Sequence, residues 1–243
     1  DRPKASEAMQ LFKEANRMLN QLDAVYQTHG VVNIMDANAD GDDLLLNGKR
    51  FPLLRQQAAK LKKDDPFLCL SDFVRPLSSG ITDKIGAFAT TVDAEMEQLY
   101  AEDDYKRMLA QTLSDRLAEA TAEKLHEDVR KKLWGYAPDE NLSVKDLHNE
   151  KYQGIRPAVG YPSLPDQSIN FLLDELLDMK QIGISLTENG MMKPHASVCG
   201  LMFAHPASHY FSIGKIGEDQ LADYAARRGM SIEETKKFLA ANL

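Results

Sequence analysis

The amino-acid sequence predicts an α+β fold in which an antiparallel sheet is flanked by helices. Predicted strands occur in pairs that are joined by links of hairpin length, as in antiparallel sheets, rather than alternating one by one with helices. Predicted helices cluster at the two ends of the chain and between the strand pairs. The 243 residues have enough apolar content for a packed core, in one large domain or two small ones.

The first quarter of the chain predicts a helix, a hairpin and a shorter helix. Apolar residues recur at steps of three and four over residues 6–27, which places on one helix face Leu11, Ala15, Met18, Leu22 and Val25. GVVNIM predicts a strand, and DLLLNGKRF predicts a second strand broken by a turn at Asn47 and Gly48. Pro52 is then expected to open a helix through LLRQQAAKL.

The middle of the chain predicts two strands and the longest helical region. The strands are PFLCLSDFV and KIGAFATTV, separated by the loop RPLSSGITD. The helical region covers about residues 93–133, either as one helix or as two with a break near residues 102–104, and Gly135 ends it. Its expected buried face consists of Leu109, Leu113, Leu117, Ala120 and Leu125.

The last hundred residues predict a rigid loop between short helices and a further strand pair. Ser143 caps a short helix, and RPAVGYPSLPDQS holds too many prolines for a helix or a central strand. A helix follows at about residues 169–179, and HASVCGLMFA and HYFSIGKI predict strands. Two terminal helices are separated by Gly229, and the second opens with a capping box of Ser231 and Glu234.

Composition and charge narrow the class of protein. The formal net charge of -8 argues against nucleic acid or an anionic membrane as the main partner. No run of apolar residues is long enough to span a membrane, and the start lacks the apolar stretch of a signal peptide. The two cysteines, Cys69 and Cys199, cannot form a disulfide framework, so we expect a reducing, cytoplasmic setting. A chain that begins at Asp1 without Met is expected to be an excised piece of a longer protein.

The acidic stretch DANADGDDLLLN resembles half of a calcium-binding EF-hand loop. Loop positions one, three, five, six and seven hold Asp36, Asn38, Asp40, Gly41 and Asp42. Position twelve holds Asn47, which cannot supply the two oxygens that a Glu provides there. The flanking segments predict strands instead of helices. We therefore favour a solvated acidic hairpin over a calcium site, and we assign no metal ligand in the chain.

The loop over residues 156–165 is the strongest candidate for a binding site. Gly160 allows a ligand to approach the backbone, Tyr161 offers an aromatic face, and Arg156 offers a planar fork for a carboxylate or phosphate. The alternative is a loop packed under the sheet with Arg156 in an ordinary surface ion pair. Other motifs are weaker: no phosphate-binding glycine loop or serine elbow occurs, and His205, His209 and Cys199 fit turn and core positions better than a metal set.

Several segments together are similar to the activation domain of cobalamin-dependent methionine synthase. They are YQGIRPAVGYPSLPDQS, WGYAPDENLS, ASVCGLMFAHPASHYFSIGKI and DQLADYAARRGMSIEETKKFLAANL. GVVNIMDANADGDDL, CLSDFVRP, DKIGAFATT and LSDRLAEA occur in that family's order as well. The resemblance covers essentially the whole chain, and its Arg-x-x-x-Gly-Tyr-Pro motif is distinctive. It implies a single domain over residues 1–243 with a bent antiparallel sheet.

The resemblance also implies a function. In this family the domain binds S-adenosylmethionine and presents its methyl group to cobalamin held by a neighbouring domain. A flavodoxin-type partner supplies the electron for the reductive methylation that restores inactive cofactor. The domain belongs to a methyltransferase, but the corrin carries the chemistry. We therefore assign no catalytic residue, and we expect no turnover by the isolated chain.

The family's ligand contacts can be carried over residue by residue. The resemblance implies that Arg156 pairs the methionyl carboxylate. The adenosine side is implied to meet the backbone around Ala158, Gly160 and Tyr161. The matching segment near the end of the chain implies ligand contacts for Tyr210 and Phe211. Glu119 and Glu150 are candidates for the ammonium and sulfonium, because a buried cation needs a compensating charge.

The sequence departs from the family in ways that affect ligand binding. No counterpart of the family's Asp-Trp-x-Pro-Phe-Phe segment occurs, so we expect weaker ligand binding than in a chain extended to include it. Val159 replaces a common Pro, Gln167 stands where His is usual, and Phe211 lies where some members have a second Tyr. Two alternatives remain open: a free-standing S-adenosylmethionine-dependent methyltransferase, which should show a glycine loop after its first strand, and a calcium-binding interaction module.

Overall fold

The computed structural model describes residues 2–58 and 65–243, and it has the predicted α+β architecture. The helices are α1 Arg2–Asp23, α2 Asp104–Asp128, α3 Val144–His148, α4 Ile169–Leu177, α5 Glu218–Arg228 and α6 Ile232–Phe238. The strands are β1 Thr28–Asp40, β2 Asp43–Leu46, β3 Lys49–Pro52, β4 Asp83–Val92, β5 Ser185–Leu186, β6 Met192–Lys193 and β7 Ser197–Met202. None of these helices combines the length and the apolar character needed to cross a membrane.

One antiparallel sheet organises the fold. It has five strands in the order β3-β2-β1-β4-β7, and the β5–β6 hairpin, which the sequence did not predict, is separate from it. In β4, Ala87 and Ala89 belong to the hydrophobic cluster that includes α4, whereas Phe88 belongs to the cluster that includes α2. Both faces of β4 are therefore covered, which explains why KIGAFATTV is apolar almost throughout instead of alternating.

Helix α2 lies close to the sheet because its inner face is built from small residues. Ala110, Ser114, Ala118 and Ala122 are buried at four-residue steps, and the Thr90 hydroxyl of β4 donates to the Ala118 carbonyl at 3.0 Å. Such a contact between a strand side chain and a helix backbone requires small side chains at the interface.

The predicted limits and buried face of α2 are partly correct. The break near residues 102–104 is confirmed, since Asp103 is the N-cap and accepts a hydrogen bond from the Lys106 backbone. Leu109 is buried, and the predicted Leu113, Leu117 and Leu125 pack half-buried against the same cluster. The fifth predicted residue, Ala120, is exposed, so that prediction is wrong. At 3.6 residues per turn, Ala120 lies on nearly the opposite side of the helix from the buried Ala118.

Most of the other elements are confirmed, with small shifts in their limits. Helix α1 ends at Asp23, and Val25 is exposed beyond it. Asn47 and Gly48 both have positive φ, as the predicted tight turn between β2 and β3 requires. Ser231 and Glu234 form the predicted capping box at α6.

Residues 53–58 form no helix, so the short helix predicted after Pro52 is wrong over that stretch. Its remaining residues lie outside the described part of the chain. The backbone of Leu53 donates to Asp42, and that of Gln56 donates to Leu68. These bonds to distant segments replace the local bonds of a helix and tie the stretch to the side of the sheet.

The strand predicted at PFLCLSDFV is a 3₁₀ turn at Leu70–Phe73. The carboxylate of Asp72 accepts a hydrogen bond from the Cys69 backbone, which closes the turn. The same carboxylate forms an ion pair with Arg55. Asp72 is therefore a local cap rather than an outward residue of a strand. A pattern of apolar residues alone does not distinguish the two.

The strand predicted at HYFSIGKI has no strand partner. The Phe211 backbone donates to the Ser163 hydroxyl, and the Ile213 backbone donates to the Pro162 carbonyl. Ile213 and Ile216 are buried and Phe211 is half-buried, but the segment lies along the proline-rich loop instead of joining the sheet. It therefore forms one wall of the region around Arg156.

The acidic hairpin is held by ion pairs. Asp36 lies in β1 and pairs with Lys84 at 2.6 Å, and Asp42 pairs with Arg55 at 2.7 Å. Asp43 is buried and pairs with Arg50 at 2.8 Å and with Arg227 at 2.5 Å. The prediction of a solvated hairpin is therefore wrong at this residue. Within the described residues, no group of three or more His, Cys, Asp or Glu side chains is arranged to hold a metal ion.

Calcium is expected to leave the stability of the protein unchanged. The carboxylates of the acidic hairpin already have cationic partners, and an extended strand cannot curl its side chains around one ion. Thermal unfolding with and without millimolar calcium tests this. A calcium-dependent rise in Tm that disappears in Asp40→Ala would contradict it.

Enlarging the small face of α2 should destabilise the fold. Ala118→Leu inserts three carbons between α2 and β4, and overpacking of this kind costs about 1–3 kcal/mol of unfolding free energy. The control is Ala120→Leu on the exposed side of the same helix, for which we expect a change within about 0.5 kcal/mol. Urea denaturation of the two variants measures both values, and equal effects would contradict the close packing described here.

Candidate functional site

The proline-rich loop is attached to the sheet through β7. Isolated bridges join Ile155 to Phe203 and Ala158 to Gly200. A Cβ atom at Gly200 would lie 2.2 Å from the Pro157 carbonyl oxygen, so only glycine lets the loop lie this close to the strand. A glycine inside a predicted strand is a sequence signal for such a close approach of two backbone segments.

A cleft of about 630 Å³ lies between this loop, the middle of α2, the segment after α3 and the extended segment near residue 211. Seven of the eight predicted site residues line it: Glu119, Glu150, Arg156, Ala158, Tyr161, Tyr210 and Phe211. Gly160 does not line it. Its positive φ and its backbone bond to the Leu164 carbonyl make the turn that carries Tyr161 into the cleft.

Arg156 is the central charged group of the cleft. Its side chain is 16% exposed, and Nε and Nη2 donate to Glu123 Oε2 at 3.2 and 3.0 Å. Nη1 lies 3.8 Å from Glu119 Oε2, which is too far for a hydrogen bond. Burial alone would lower the pKa of Arg156, but Glu123 and the other neighbours outweigh it and raise the pKa. Arg156 thus carries a permanent positive charge. The Nε–Nη2 edge of its guanidinium is hydrogen-bonded to Glu123, and Nη1 is not hydrogen-bonded to Glu119.

Two tyrosines connect the loop to the other walls of the cleft. The Tyr161 hydroxyl donates to Glu119 Oε1 at 3.0 Å, and this hydrogen bond raises the pKa of Tyr161. The Arg156 backbone donates to the Tyr210 hydroxyl at 3.0 Å, and burial raises the pKa of Tyr210. Both hydroxyls therefore stay protonated at neutral pH and act as hydrogen-bonding groups that position the loop.

Glu123 and Tyr152 also line the cleft, although neither was predicted from the sequence. Glu123 follows Glu119 by one helical turn, so its spacing could have placed it on the same face. Tyr152 lies against Arg130, whose guanidinium is 4.4 Å from the ring centroid. Arg130 is completely buried and donates two hydrogen bonds to Glu140, at 2.8 and 2.7 Å. No sequence signal marked this buried ion pair, because it depends on the π-helical turn Val129–Leu133.

His126 is buried behind the cleft and is kept neutral. Burial lowers its pKa well below the ordinary value, and the positive charges of Arg130 and Arg156 lower it further. Its Nε2 lies 3.5 Å from the Tyr136 hydroxyl, and its Nδ1 has no hydrogen-bond partner. A proton on this ring would add a third positive charge to a region that already holds two.

Cys199, His205 and His209, which were considered as possible metal ligands, do not form a metal-binding cluster. Cys199 is buried in β7 and donates to the Asn170 side chain at 3.0 Å, and burial raises its thiol pKa to about 12. His205 and His209 are exposed and lie beside the ring of Phe73. The thiol therefore belongs to the core, as the sequence suggested, and the two histidines belong to a surface turn.

An α+β domain of this kind, with one arginine fork among carboxylates and tyrosines in a cleft of this size, is a binding domain for a small polar ligand. The model of the family described as "Vitamin B12 dependent methionine synthase, activation domain" matches residues 1–229. The chain belongs to this family. It is also similar to a solved structure described as the MetH reactivation domain bound to AdoHcy, with 45% identity and a TM-score of 0.91, over 98% of this chain and 78% of that one.

The stability of the domain should fall as the pH drops below about 6.5, the ordinary pKa of histidine. The unfolded chain takes up a proton at His126 in that range and the folded chain does not, so stability is lost at up to about 1.4 kcal/mol per pH unit. His126→Gln should remove this part of the pH dependence, whereas His148→Gln, at an exposed histidine, should retain it. Urea denaturation at pH 7.5 and 5.5 measures the difference, and parallel losses in both variants would contradict the assignment.

Proposed function

We propose that the cleft binds S-adenosylmethionine and that the domain presents the ligand's methyl group to cobalamin on a neighbouring domain of methionine synthase. Bound S-adenosylmethionine supplies a methyl group activated by its sulfonium. A flavodoxin-type partner supplies the electron that this reductive methylation needs. Membership of the family and similarity to a reactivation domain described as bound to AdoHcy support the proposal.

The partly held Arg156 fork is the observation that carries the proposal. Glu123 holds Nε and Nη2, while Nη1 makes no hydrogen bond within the described residues. An incoming carboxylate can therefore approach a guanidinium whose direction is already set. This preorganisation lowers the entropy lost on binding. We assign Arg156 to the methionyl carboxylate of the ligand.

The remaining walls fit the other groups of the ligand. Glu119 and Glu150 supply negative charge for the ammonium and the sulfonium. Ala158 and Tyr161 offer backbone and an aromatic ring to the adenosine, and Phe211 adds a half-buried apolar surface. The volume of the cleft lies in the range of about 300–1,000 Å³ that is usual for small-molecule sites. Gly160 contributes through the turn that it makes rather than by lining the cleft.

The domain then acts by binding and orienting, not by proton transfer. The cleft residues hold a carboxylate, two cationic groups and a heterocycle, which leaves the methyl group to be presented to the cofactor domain. We infer that residues 1–243 work as one unit, that the isolated chain does not turn over, and that the enzyme operates in the cytoplasm. Two buried cysteines without a disulfide are consistent with a reducing compartment.

Arg156→Ala should weaken the binding of S-adenosylmethionine by about 10- to 150-fold. The estimate corresponds to one charged hydrogen-bonding group worth about 1.5–3 kcal/mol. Arg156→Lys should recover only part of the affinity, because the two-pronged geometry is lost. Isothermal titration calorimetry on the three proteins measures these values.

The matched control is Arg107→Ala near the start of α2. Arg107 pairs with Asp104 at 2.6 Å, away from the cleft, so its loss should leave the affinity unchanged. If Arg156→Ala bound the ligand as tightly as the unchanged protein, Arg156 would not be part of the site. If the unchanged protein did not bind S-adenosylmethionine at all, the proposed function would be wrong for this chain.

A further inference from the structure

Tyr152 forms part of the cleft wall and is held from behind by two buried side chains. The Arg130 guanidinium lies 4.4 Å from the centroid of the Tyr152 ring. The His126 ring is nearly perpendicular to it, with the two ring centroids 5.2 Å apart. Arg130 and His126 are completely buried, whereas Tyr152 is half-buried. The position of this wall is therefore determined by side chains that do not themselves line the cleft.

A chain of contacts leads from Arg130 to the start of the proline-rich loop. The hydroxyl of Tyr152 is hydrogen-bonded to that of Tyr210. The Tyr210 hydroxyl also accepts a hydrogen bond from the Arg156 backbone at 3.0 Å. Burial raises the pKa of Tyr152, and its interaction with Tyr210 raises the pKa further, so the hydroxyl keeps its proton at neutral pH. Arg130 is therefore connected, through two tyrosines, to the backbone of the residue that we assign to the ligand's carboxylate.

Glu140 fixes the orientation of Arg130. Nε and Nη2 of the arginine donate to the two carboxylate oxygens at 2.8 and 2.7 Å, and the Glu140 side chain is 8% exposed. A two-pronged pair of this kind holds the plane of the guanidinium in one direction. Arg130 belongs to the π-helical turn Val129–Leu133, and such turns are frequent at functional sites. The cation is thus fixed relative to both the helix and the Tyr152 ring.

Stability alone does not explain the buried pair of Arg130 and Glu140. Removing two charges from water is costly, and apolar side chains of similar volume often stabilise a protein equally well or better. An apolar side chain cannot, however, attract the face of a tyrosine ring as a guanidinium does. The property that only the ion pair supplies at this place is therefore a fixed cation against Tyr152.

We propose that Arg130 is a positioning residue of the cleft, which holds the ring of Tyr152 and, through Tyr152 and Tyr210, fixes the backbone at Arg156. Its effect on the ligand rests on the proposed function, whereas its effect on the loop does not. A wall and a loop that are fixed before binding lose less conformational entropy when a ligand arrives. Loss of the cation should therefore loosen the backbone at Arg156 and, as a consequence, weaken ligand binding.

The double variant Arg130→Met/Glu140→Leu removes the cation without leaving an unpaired charge in the interior. We expect its stability in urea denaturation to match that of the unchanged protein. Amide hydrogen exchange, followed by NMR on the protein without ligand, then reports on local opening of the loop. Exchange at the Arg156 amide should accelerate about 5-fold or more, as loss of a cation–π contact implies. Exchange at the Val159 amide, which donates to the Cys199 carbonyl of β7, should stay unchanged.

Tyr152→Phe tests the route and leaves the buried ion pair in place. It keeps a ring over Arg130 but removes the hydroxyl that meets Tyr210, so exchange at the Arg156 amide should accelerate in this variant too. Adding Tyr152→Phe to the double variant should then accelerate that exchange by less than about 2-fold, because the connection is already broken. Calorimetry with S-adenosylmethionine should show about 5-fold weaker binding or more in the double variant.

The matched control is Arg227→Met/Asp43→Leu. Arg227 also pairs with a buried carboxylate, that of Asp43, and it lies 5.5 Å from the centroid of a tyrosine ring, that of Tyr224. None of these three residues lines the cleft. Exchange at the Arg156 amide and the affinity for S-adenosylmethionine should therefore both match the unchanged protein.

The outcomes separate this inference from the proposed function. Unchanged exchange at the Arg156 amide in the double variant or in Tyr152→Phe would overturn the inference, and so would equal acceleration at Val159, which would indicate general loosening. Additive effects of the two changes would overturn the route through Tyr152. Faster exchange with unchanged affinity for S-adenosylmethionine would overturn the role in ligand binding. If the unchanged protein did not bind S-adenosylmethionine, the proposed function would be wrong, while the exchange rates would still decide whether Arg130 positions the loop.

Discussion

The close contact between α2 and the central strand β4 is the constraint on which the cleft depends. Small residues such as Ala118 let the helix lie against the sheet, and the Thr90 hydroxyl bonds to the helix backbone. The distance between α2 and the sheet determines where Glu119 and Glu123 lie relative to the loop around Arg156. On the neighbouring strand β7, Gly200 sets the position of that loop through an equally close contact. Two places where only small residues fit therefore position the charged groups of the site.

The cleft places one largely buried cation among several carboxylates. Arg156 is held by Glu123 through one edge, and the buried Arg130 is held by Glu140 behind the cleft. Each arginine is compensated by a glutamate that faces it, while His126 between them stays neutral. Such an arrangement keeps the positive charge in a defined orientation at low exposure. It fits the binding role proposed for the cleft better than a role in proton transfer.

The elements predicted correctly share a local physical cause. The capping box at Ser231 and the break before Asp104 follow from side chains that bond to backbone groups within a few residues. The turn at Asn47 and Gly48 follows from two residues that readily adopt positive φ. The wrong strand predictions at residues 66–74 and 209–216 have the opposite origin. Both segments contain apolar residues that are buried, but their backbone groups bond to partners far away in the chain or to a local acidic cap. A sequence pattern reports burial more reliably than it reports the hydrogen-bonding partner.

The sequence by itself determined the fold class, the family resemblance and seven residues that the structure places around the cleft. The fold class depends on periodicity and on turn residues, which can be read over short distances along the chain. The site residues depend mainly on the family resemblance and its distinctive loop motif. Only the tertiary structure decided that Glu123 holds Arg156, that Tyr152 lies on a buried Arg130, and that Asp43 is paired inside the hairpin. Their partners are 33, 22 and 184 residues away in sequence, in the same order. Contacts of that range arise only once the helices and the sheet have packed together.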